Sequence, residues 1–270
     1  MPFRIGPLLM ALLFAVCLTP AAAQEKTPPQ KKSKKVWTNE DVGELRGPVN
    51  VVGSEAAAIN RFEENTRPYV DDSEMVTRLR HDAERGDPEA QRTLGILYYF
   101  GRGFPQDSKE AVAWLTKAAE QNDSKAQLIL GALYIKGEGV AQNFAEAAKW
   151  LRQAANKDEP LAQDLMARLY YHGQGMVQDY GEALFWFRKA AEQNLPNAQL
   201  ELARMYYQAL GTKKDVVTAY VWAALAADGG ESDAREALDF IRLQLTGDQI
   251  TDANRKIDQW KEKFRKQSSQ

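Results

Sequence analysis

Few side chains in this sequence have the chemistry that a catalyst or a metal site requires. The chain contains two histidines, His81 and His172, which lie far apart in sequence, and one cysteine, Cys17. A disulfide needs two cysteines, and a structural zinc site needs four clustered ligands, mostly Cys and His. The sequence therefore excludes a disulfide scaffold and a zinc cluster, and we expect the protein to hold no metal and no cofactor.

The glycine and serine patterns contain no catalytic motif. Gly-x-Gly begins at Gly101, Gly137 and Gly173, and each time it follows a helical pattern. Phosphate-binding loops follow a strand instead, so these glycines predict helix ends. No serine lies in the Gly-x-Ser-x-Gly turn that presents a hydrolase nucleophile. We therefore expect a protein that is not an enzyme.

The overall composition is that of a folded protein. Of the 270 residues, 44% are hydrophobic and 27% are charged, and the formal net charge is −2. This composition excludes wholesale disorder. Because surfaces that bind nucleic acid are strongly basic, the near-neutral charge gives no support for a nucleic-acid partner.

Residues 1–23 have the features of a secretory signal peptide. Arg4 is their only charge, Leu8–Leu18 is an almost unbroken apolar run, and three alanines follow, the last of them Ala23. This is the order of a charged region, an apolar region and a small-residue cleavage site. The apolar run is too short for a bilayer, which takes about 20 residues. We expect cleavage after Ala23 and a periplasmic or secreted protein without a stable membrane span.

Cys17 raises the alternative of a lipid-anchored protein. Lipoprotein signals have a small residue directly before the cysteine, whereas here that residue is Val16. We therefore favour a cleaved signal peptide over a lipid anchor at Cys17.

Residues 24–53 form a basic and polar segment. Five lysines lie between Gln24 and Lys35, together with two prolines. The lysines could attach the chain weakly to an acidic surface, at about 1 kcal/mol for each lysine near anionic lipid. The alternative, which we favour, is a flexible spacer.

A period of 36 residues organises the rest of the chain. The repeated tryptophans are Trp114, Trp150, Trp186 and Trp222, and the repeated tyrosines are Tyr98, Tyr134, Tyr170 and Tyr206. The dipeptide Ala-Gln recurs from Ala90, Ala126, Ala162 and Ala198, and Ala-Ala recurs from Ala118, Ala154, Ala190 and Ala226. Four columns in the same phase predict an array of identical structural units. Their spacing also places the aromatic rings in a core rather than on a carbohydrate-binding platform.

The sequence of each unit predicts two helices. The first helix begins after an acidic cap, at Asp87, Asp123 or Glu159, and it ends at a glycine. Short acidic side chains satisfy the free amides at a helix start, and glycine supplies the left-handed turn at its end. The second helix begins after Asp107 or its equivalents, with Glu110 three residues later, which is close to a capping box.

The units at the two ends are less regular. Residues 54–85 predict a degenerate capping hairpin, and the repeats themselves occupy 86–245. Residues 246–270 predict a C-terminal capping helix and tail, in which Thr246 and Gln249 form a capping-box pattern. Polar, atypical ends are what a repeat array needs, because its terminal faces have no neighbour.

The repeated motif is Ala-Gln-x-x-Leu-Gly-x-x-Tyr-x-x-Gly-x-Gly, followed by Asp, Ala, Trp and Ala-Ala at fixed offsets. It resembles the Sel-one-like repeat, a relative of the tetratricopeptide repeat, closely over 87–228 and loosely over 54–245. Later units depart from it, since Met166-Ala167 and Leu202-Ala203 replace Leu-Gly. The resemblance implies an all-α, right-handed superhelical solenoid of antiparallel helix pairs. It also implies a role as a protein-interaction scaffold, without implying any chemistry.

The variable positions of the first helices suggest a binding surface. They recur at i, i+4 and i+7, so they form one stripe on each helix. In tetratricopeptide solenoids the first helices line the concave surface, and Tyr and Arg are favoured interface anchors. The candidate groove residues, here called the first-helix stripe, are Arg92, Ile96, Tyr99, Ile135, Arg168, Tyr171, Arg204 and Tyr207. We expect them to bind a protein or peptide segment with some acidic character, the alternative being that the tyrosines pack between repeats.

Two other functions remain as alternatives at this stage. One is a cell-wall or β-lactam-binding or β-lactam-hydrolysing envelope protein, since some secreted relatives have been associated with β-lactam binding. Those relatives are rich in paired cysteines, which this chain lacks. The other is a peptidoglycan-binding module that would use exposed aromatic side chains.

Overall fold

The computed structural model describes residues 73–267, which all belong to one compact unit and form eleven helices without a strand. The first six helices are α1 Ser73–Glu84, α2 Pro88–Phe100, α3 Ser108–Glu120, α4 Ser124–Lys136, α5 Phe144–Ala155 and α6 Pro160–His172. The other five are α7 Tyr180–Glu192, α8 Pro196–Gln208, α9 Val216–Asp228, α10 Ala234–Arg242 and α11 Gly247–Gln267. Within this range no helix has both the length and the apolar character needed to cross a membrane.

The predicted signal peptide and the segment 24–53 lie outside the described residues. Of the predicted capping hairpin at 54–85, the described part is α1, its second helix. From α1 to α10 each helix packs mainly on its neighbours along the chain, whereas α11 packs on α9, so α2 to α9 form four stacked helix pairs. One cluster of buried residues runs from α2 to α8. The predicted all-α solenoid of helix pairs is confirmed.

The starts of the first helices follow the capping rules. The carboxylates of Asp87 and Asp123 accept hydrogen bonds from the amides of Ala90 and Ala126. Glu159 stands at the same place in α6, but its side chain makes no capping bond, because glutamate is longer than the residues that cap well. Its carboxylate accepts a hydrogen bond from Ser124 of the preceding unit instead.

The ends of the first helices need a left-handed residue. Glycine supplies it in three units, at Gly101, Gly137 and Gly173. In the fourth unit Ala209 adopts φ 60°, a conformation that costs a residue with a Cβ about 1–2 kcal/mol. The second helices are followed by left-handed Asn122, Asp158 and Asn194, as expected for residues that tolerate this turn.

The second helices are capped by the predicted Asx residues. The carboxylate of Asp107 accepts from the amides of Lys109 and Glu110, and Asn143 and Asp179 cap in the same way. Asp215 accepts from one backbone amide, that of Thr218. The reciprocal half of a capping box does not form at Glu110, because the amide of Asp107 already donates to the carbonyl of Tyr98. The box is complete only at the start of α11 among the described helices, where Thr246 and Gln249 exchange hydrogen bonds.

The Ala-Gln column forms buried hydrogen bonds between helices. The side-chain amide of Gln127 donates to the carbonyl of Ala119, near the end of the preceding second helix, over 3.0 Å. The same bond, over 3.0–3.1 Å, joins Gln91 to Ala83, Gln163 to Ala155 and Gln199 to Ala191. These glutamines are at most 5% exposed. The column therefore links each repeat to the helix before it.

The tryptophan column contributes to the same core. Trp186 is buried, whereas Trp114, Trp150 and Trp222 are half-buried and pack against core residues. Trp222 also meets Trp260 of α11, with ring centroids 6.2 Å apart. The C-terminal helix therefore covers part of the last repeat through an aromatic contact, as a capping element should.

The second glycine of the Gly-x-Gly in the second and third units, Gly139 and Gly175, allows neighbouring repeats to touch. A Cβ on Gly139 would lie 2.0 Å from the carbonyl oxygen of Ser108 in the preceding unit, and one on Gly175 would lie 2.6 Å from that of Phe144. Both glycines also have positive φ. Any side chain would push the loop away from the neighbouring helix, so glycine is required here for packing as well as for backbone conformation.

This contact predicts unequal costs for two glycine substitutions. Gly139→Ala should lower the free energy of unfolding by about 3 kcal/mol or more, because it combines a positive φ with a clash. Gly230→Ala is the matched control, since Gly230 has φ 90° but no atom within 4 Å of the added Cβ. It should cost about 1 kcal/mol. Urea unfolding of both variants measures the difference, and equal losses would contradict the packing role of Gly139.

Candidate functional site

The structure places the first-helix stripe at the contacts between repeats. Four members of the stripe are buried: Ile96, Ile135, Arg168 and Tyr207. The other four are half-buried: Arg92, Tyr99, Tyr171 and Arg204. The stripe therefore divides into residues with little accessible surface and residues that keep part of their surface exposed.

Arg92 joins the first two repeats. Its guanidinium pairs with Asp123, the N-cap of α4, and with Glu89 at 2.9 Å. The Arg92 side chain is 12% exposed. Its positive charge is therefore matched by carboxylates within the protein.

Arg168 lies in a buried chain of charges between the third and fourth repeats. Its Nε donates to Asp164 over 2.8 Å, and its Nη1 lies 3.8 Å from Glu201. Glu201 in turn accepts from Arg204 over 3.0 Å. Asp164 and Arg168 are only 1% and 3% exposed. Two acidic and two basic groups thus neutralise one another in a site where an unpaired charge would be costly.

Tyr99 belongs to a polar cluster with two residues of the second repeat. Its hydroxyl donates to Glu138, which also pairs with Lys136 at 2.7 Å. Burial and the hydrogen bond to Glu138 raise the pKa of Tyr99. Burial alone would raise the pKa of Glu138, but hydrogen bonds from Lys136 and Tyr99 outweigh it and hold that pKa below its ordinary value. The cluster therefore keeps an ionised carboxylate between a cation and a neutral phenol.

The other two tyrosines of the stripe have different neighbours. The ring of Tyr171 makes edge contacts with His172 and Tyr180, at centroid distances of 5.1 and 5.2 Å. The hydroxyl of Tyr207 accepts a hydrogen bond from Gln244 over 2.7 Å, and Lys214 lies over its ring. Each tyrosine is thus held by side chains that differ from repeat to repeat.

Sequence reasoning missed the internal pairing of the arginines. Asp164 and Arg168 are four residues apart on one helix, a spacing at which opposite charges pair. The sequence alone could therefore have predicted Asp164 as a partner of Arg168. Glu201 belongs to the next repeat, and only the stacking of helices brings it to Arg168. Among residues 73–267, no three His, Cys, Asp or Glu side chains are grouped as a metal site would require.

Stacked helix pairs with a shared core define this chain as an α-solenoid, a general kind of protein-interaction scaffold. The family model for the Sel1 repeat matches residues 88–123, 124–159, 160–195 and 196–231. Each match begins at the first residue of a first helix, at α2, α4, α6 and α8. The chain belongs to the Sel1 repeat family.

Solved structures include similar proteins. A Sel1 repeat protein from Oxalobacter formigenes is 34% identical, over 68% of this chain and 72% of that chain, with a TM-score of 0.60. A protective antigen present in uropathogenic Escherichia coli strains, which displays an SLR fold, is 27% identical over 72% of this chain and 57% of that chain, with a TM-score of 0.44. No curated protein matches the sequence.

The buried charges predict a strong dependence of stability on pairing. Arg168→Ala should lower the free energy of unfolding by about 3–5 kcal/mol, because it leaves Asp164 buried without its partner. The double variant Asp164→Leu with Arg168→Ala copies Leu128 and Ala132 of the second repeat. It should recover most of the loss in urea unfolding. A double variant no more stable than the single one would show that Arg168 does not act by neutralising Asp164.

Proposed function

We propose that this protein is a secreted or periplasmic, non-enzymatic scaffold that binds a protein segment along its first helices. The family supports the scaffold role, since Sel1 repeat proteins usually serve as non-catalytic scaffolds. The half-buried tyrosines and arginines of the first-helix stripe support the choice of this binding surface, because these two residue types often supply much of the binding energy of an interface.

Within the stripe, the tyrosines are better candidates for contact than the arginines. Arg92 and Arg204 already pair with carboxylates of this chain, so they offer little unmatched charge to a partner. Tyr99 and Tyr171 keep part of their surface exposed. The partner is therefore recognised mainly by aromatic contact, and the expected acidic character of the partner has no support from these pairings.

The location rests on the sequence of residues 1–23. A single charge, an apolar run and an alanine-rich cleavage site in that order are typical of export signals. In the exported protein the chain begins at Gln24. The non-enzymatic role rests on the family and on the lack of a nucleophile motif in the sequence.

Site-specific crosslinking in the organism that encodes the protein tests this function. A photo-crosslinking amino acid at Tyr171 should capture a defined protein from the cell envelope. The matched control places it at Lys109, an exposed residue of the second-helix layer, and should not capture that protein. An excess of the unlabelled Tyr171→Ile variant, which copies Ile135 of the second repeat, should compete less well than the unlabelled native chain.

Two results would contradict the proposal. The same proteins captured at both positions, or none at Tyr171, would remove the binding role of the first helices. An N-terminal residue other than Gln24 on the recovered chain would contradict the predicted cleavage site.

A further inference from the structure

The outer surface of the third repeat departs from the 36-residue pattern. Val177 is 86% exposed and Phe185 is 48% exposed, although neither side chain is needed by the repeat. The equivalent residues are Pro105 and Ala113 in the first repeat, Ala141 and Lys149 in the second, and Lys213 and Val221 in the fourth. Single exposed apolar side chains are common on protein surfaces, whereas apolar groups that adjoin one another and are rimmed by polar residues mark interaction sites.

A cleft of about 450 Å³ lies beside Val177, and this volume is within the range of ligand-binding clefts. It is formed by residues of α5, α6, α7 and the loop before α7, and Phe185 adjoins it through its edge contact with Trp186. Tyr170 and Trp186 contribute aromatic rings, and Asp179 and Glu182 contribute carboxylates. Val177 lies at the same cleft, so apolar and acidic groups adjoin there.

The cleft contains a carboxylate without a counter-ion. In the second repeat, Glu146 lies 3.5 Å from Lys149. One period later the acidic residue is kept as Glu182, but the position of Lys149 is taken by Phe185. No described residue pairs with Glu182. One change in the pattern thus removes the positive charge paired with the carboxylate and places an exposed aromatic ring there, over which Lys189 lies 5.6 Å from the ring centroid.

The other polar groups of the cleft are consistent with this excess of negative charge. Arg152 is its only described basic residue, and its guanidinium donates to the hydroxyl of Tyr170 over 2.8 Å. Trp186 is 7% exposed, and its indole Nε1 has no hydrogen-bond acceptor among the described residues. The Oδ1 atom of Asp179 caps α7, and Nε1 of Trp186 is itself buried. The carboxylate of Glu182 and the second carboxylate oxygen of Asp179 are therefore the acidic groups that a ligand can engage.

We propose that this outer cleft binds a protein segment that presents an arginine or lysine next to an apolar residue. The cation makes a charged hydrogen bond to the carboxylates of Asp179 and Glu182, in the cleft that the rings of Tyr170 and Trp186 also line. The neighbouring apolar residue packs on Val177 and Phe185. The cleft is lined mostly by second helices and the loop before α7, together with Tyr170 of α6, and no member of the first-helix stripe lines it.

Two labelled peptides that differ at one position test the proposal on the full chain. The probe is fluorescein-labelled Gly-Ser-Leu-Arg-Leu-Ser-Gly, and the control peptide has Glu in place of Arg. Fluorescence anisotropy at low salt should show the Arg peptide binding at least about tenfold more tightly than the Glu peptide. Equal binding of the two peptides would overturn the proposal.

Matched variants of the protein locate the contact. Glu182→Gln and Val177→Ser should each weaken binding of the Arg peptide about fivefold or more. Glu110→Gln changes the same helix position in the first repeat, so it should leave binding unchanged while altering the helix start equally. If Glu110→Gln and Glu182→Gln weaken binding alike, the attraction is diffuse and the cleft is not the site.

The indole N–H signal of Trp186 gives a readout that does not depend on affinity. Trp186→Phe assigns this signal in a ¹H–¹⁵N spectrum of the full chain. The Arg peptide should shift the signal during titration, and the Glu peptide should not. A Trp186 signal that does not move while the Arg peptide binds would place the peptide elsewhere and overturn the proposal.

Discussion

One buried hydrogen bond, repeated along the chain, sets how each helix pair meets the helix before it. A glutamine amide in the first helix reaches the carbonyl of an alanine that lies near the end of the preceding second helix. Each of these carbonyls also accepts the backbone amide three residues later, as Ala119 does from Asn122. The glutamine therefore adds a second, buried hydrogen bond that joins two helices, and such a bond contributes about 0.5–1.5 kcal/mol.

In the described part of the chain, three of the four buried side-chain polar atoms that lack a partner occur where this regularity breaks. The Oε1 atom of Gln91 accepts from Gln121, and that of Gln163 accepts from Gln193. One period further, position 229 is glycine, and Oε1 of Gln199 is buried without a partner. A Cβ on Gly229 would lie 2.6 Å from Pro196, so close packing there takes the place of a hydrogen bond.

The same explanation applies to other positions. Glu138 accepts from Tyr99, but its equivalent Gln174 faces the position of Ile135, which has no hydroxyl, and Oε1 of Gln174 has no partner. The Nε atom of Arg204 is also unpartnered, because the residue four positions earlier is Leu200 rather than an aspartate. Each irregular repeat thus gives up a polar contact that its neighbours make.

Much of the fold follows from local sequence, whereas the exposed surface does not. Period, caps and terminal glycines predict helix starts because their effects act within one turn, as at Asp107 and Gly101. The stripe on the first helices is also readable, since it follows from helical spacing. The accessibility of the stripe cannot be read from the sequence, because Arg168 is partly neutralised by Glu201 from another repeat. The outer cleft was missed for a related reason: the loss of Lys149 at Phe185 has meaning only once Glu182 and Trp186 are seen to share a surface.

The stability of Gln127→Met tests the central role of the buried amide most directly. Methionine keeps the length of the side chain but cannot donate to the carbonyl of Ala119 or to Oε1 of Gln153, so the free energy of unfolding measured in urea should fall by about 1–3 kcal/mol. The control is Gln106→Met, because Gln106 makes the same kind of bond to the carbonyl of Tyr99 at an exposed site, and it should cost less than about 1 kcal/mol. If Gln127→Met costs no more than Gln106→Met, the buried amide does not hold the repeats together.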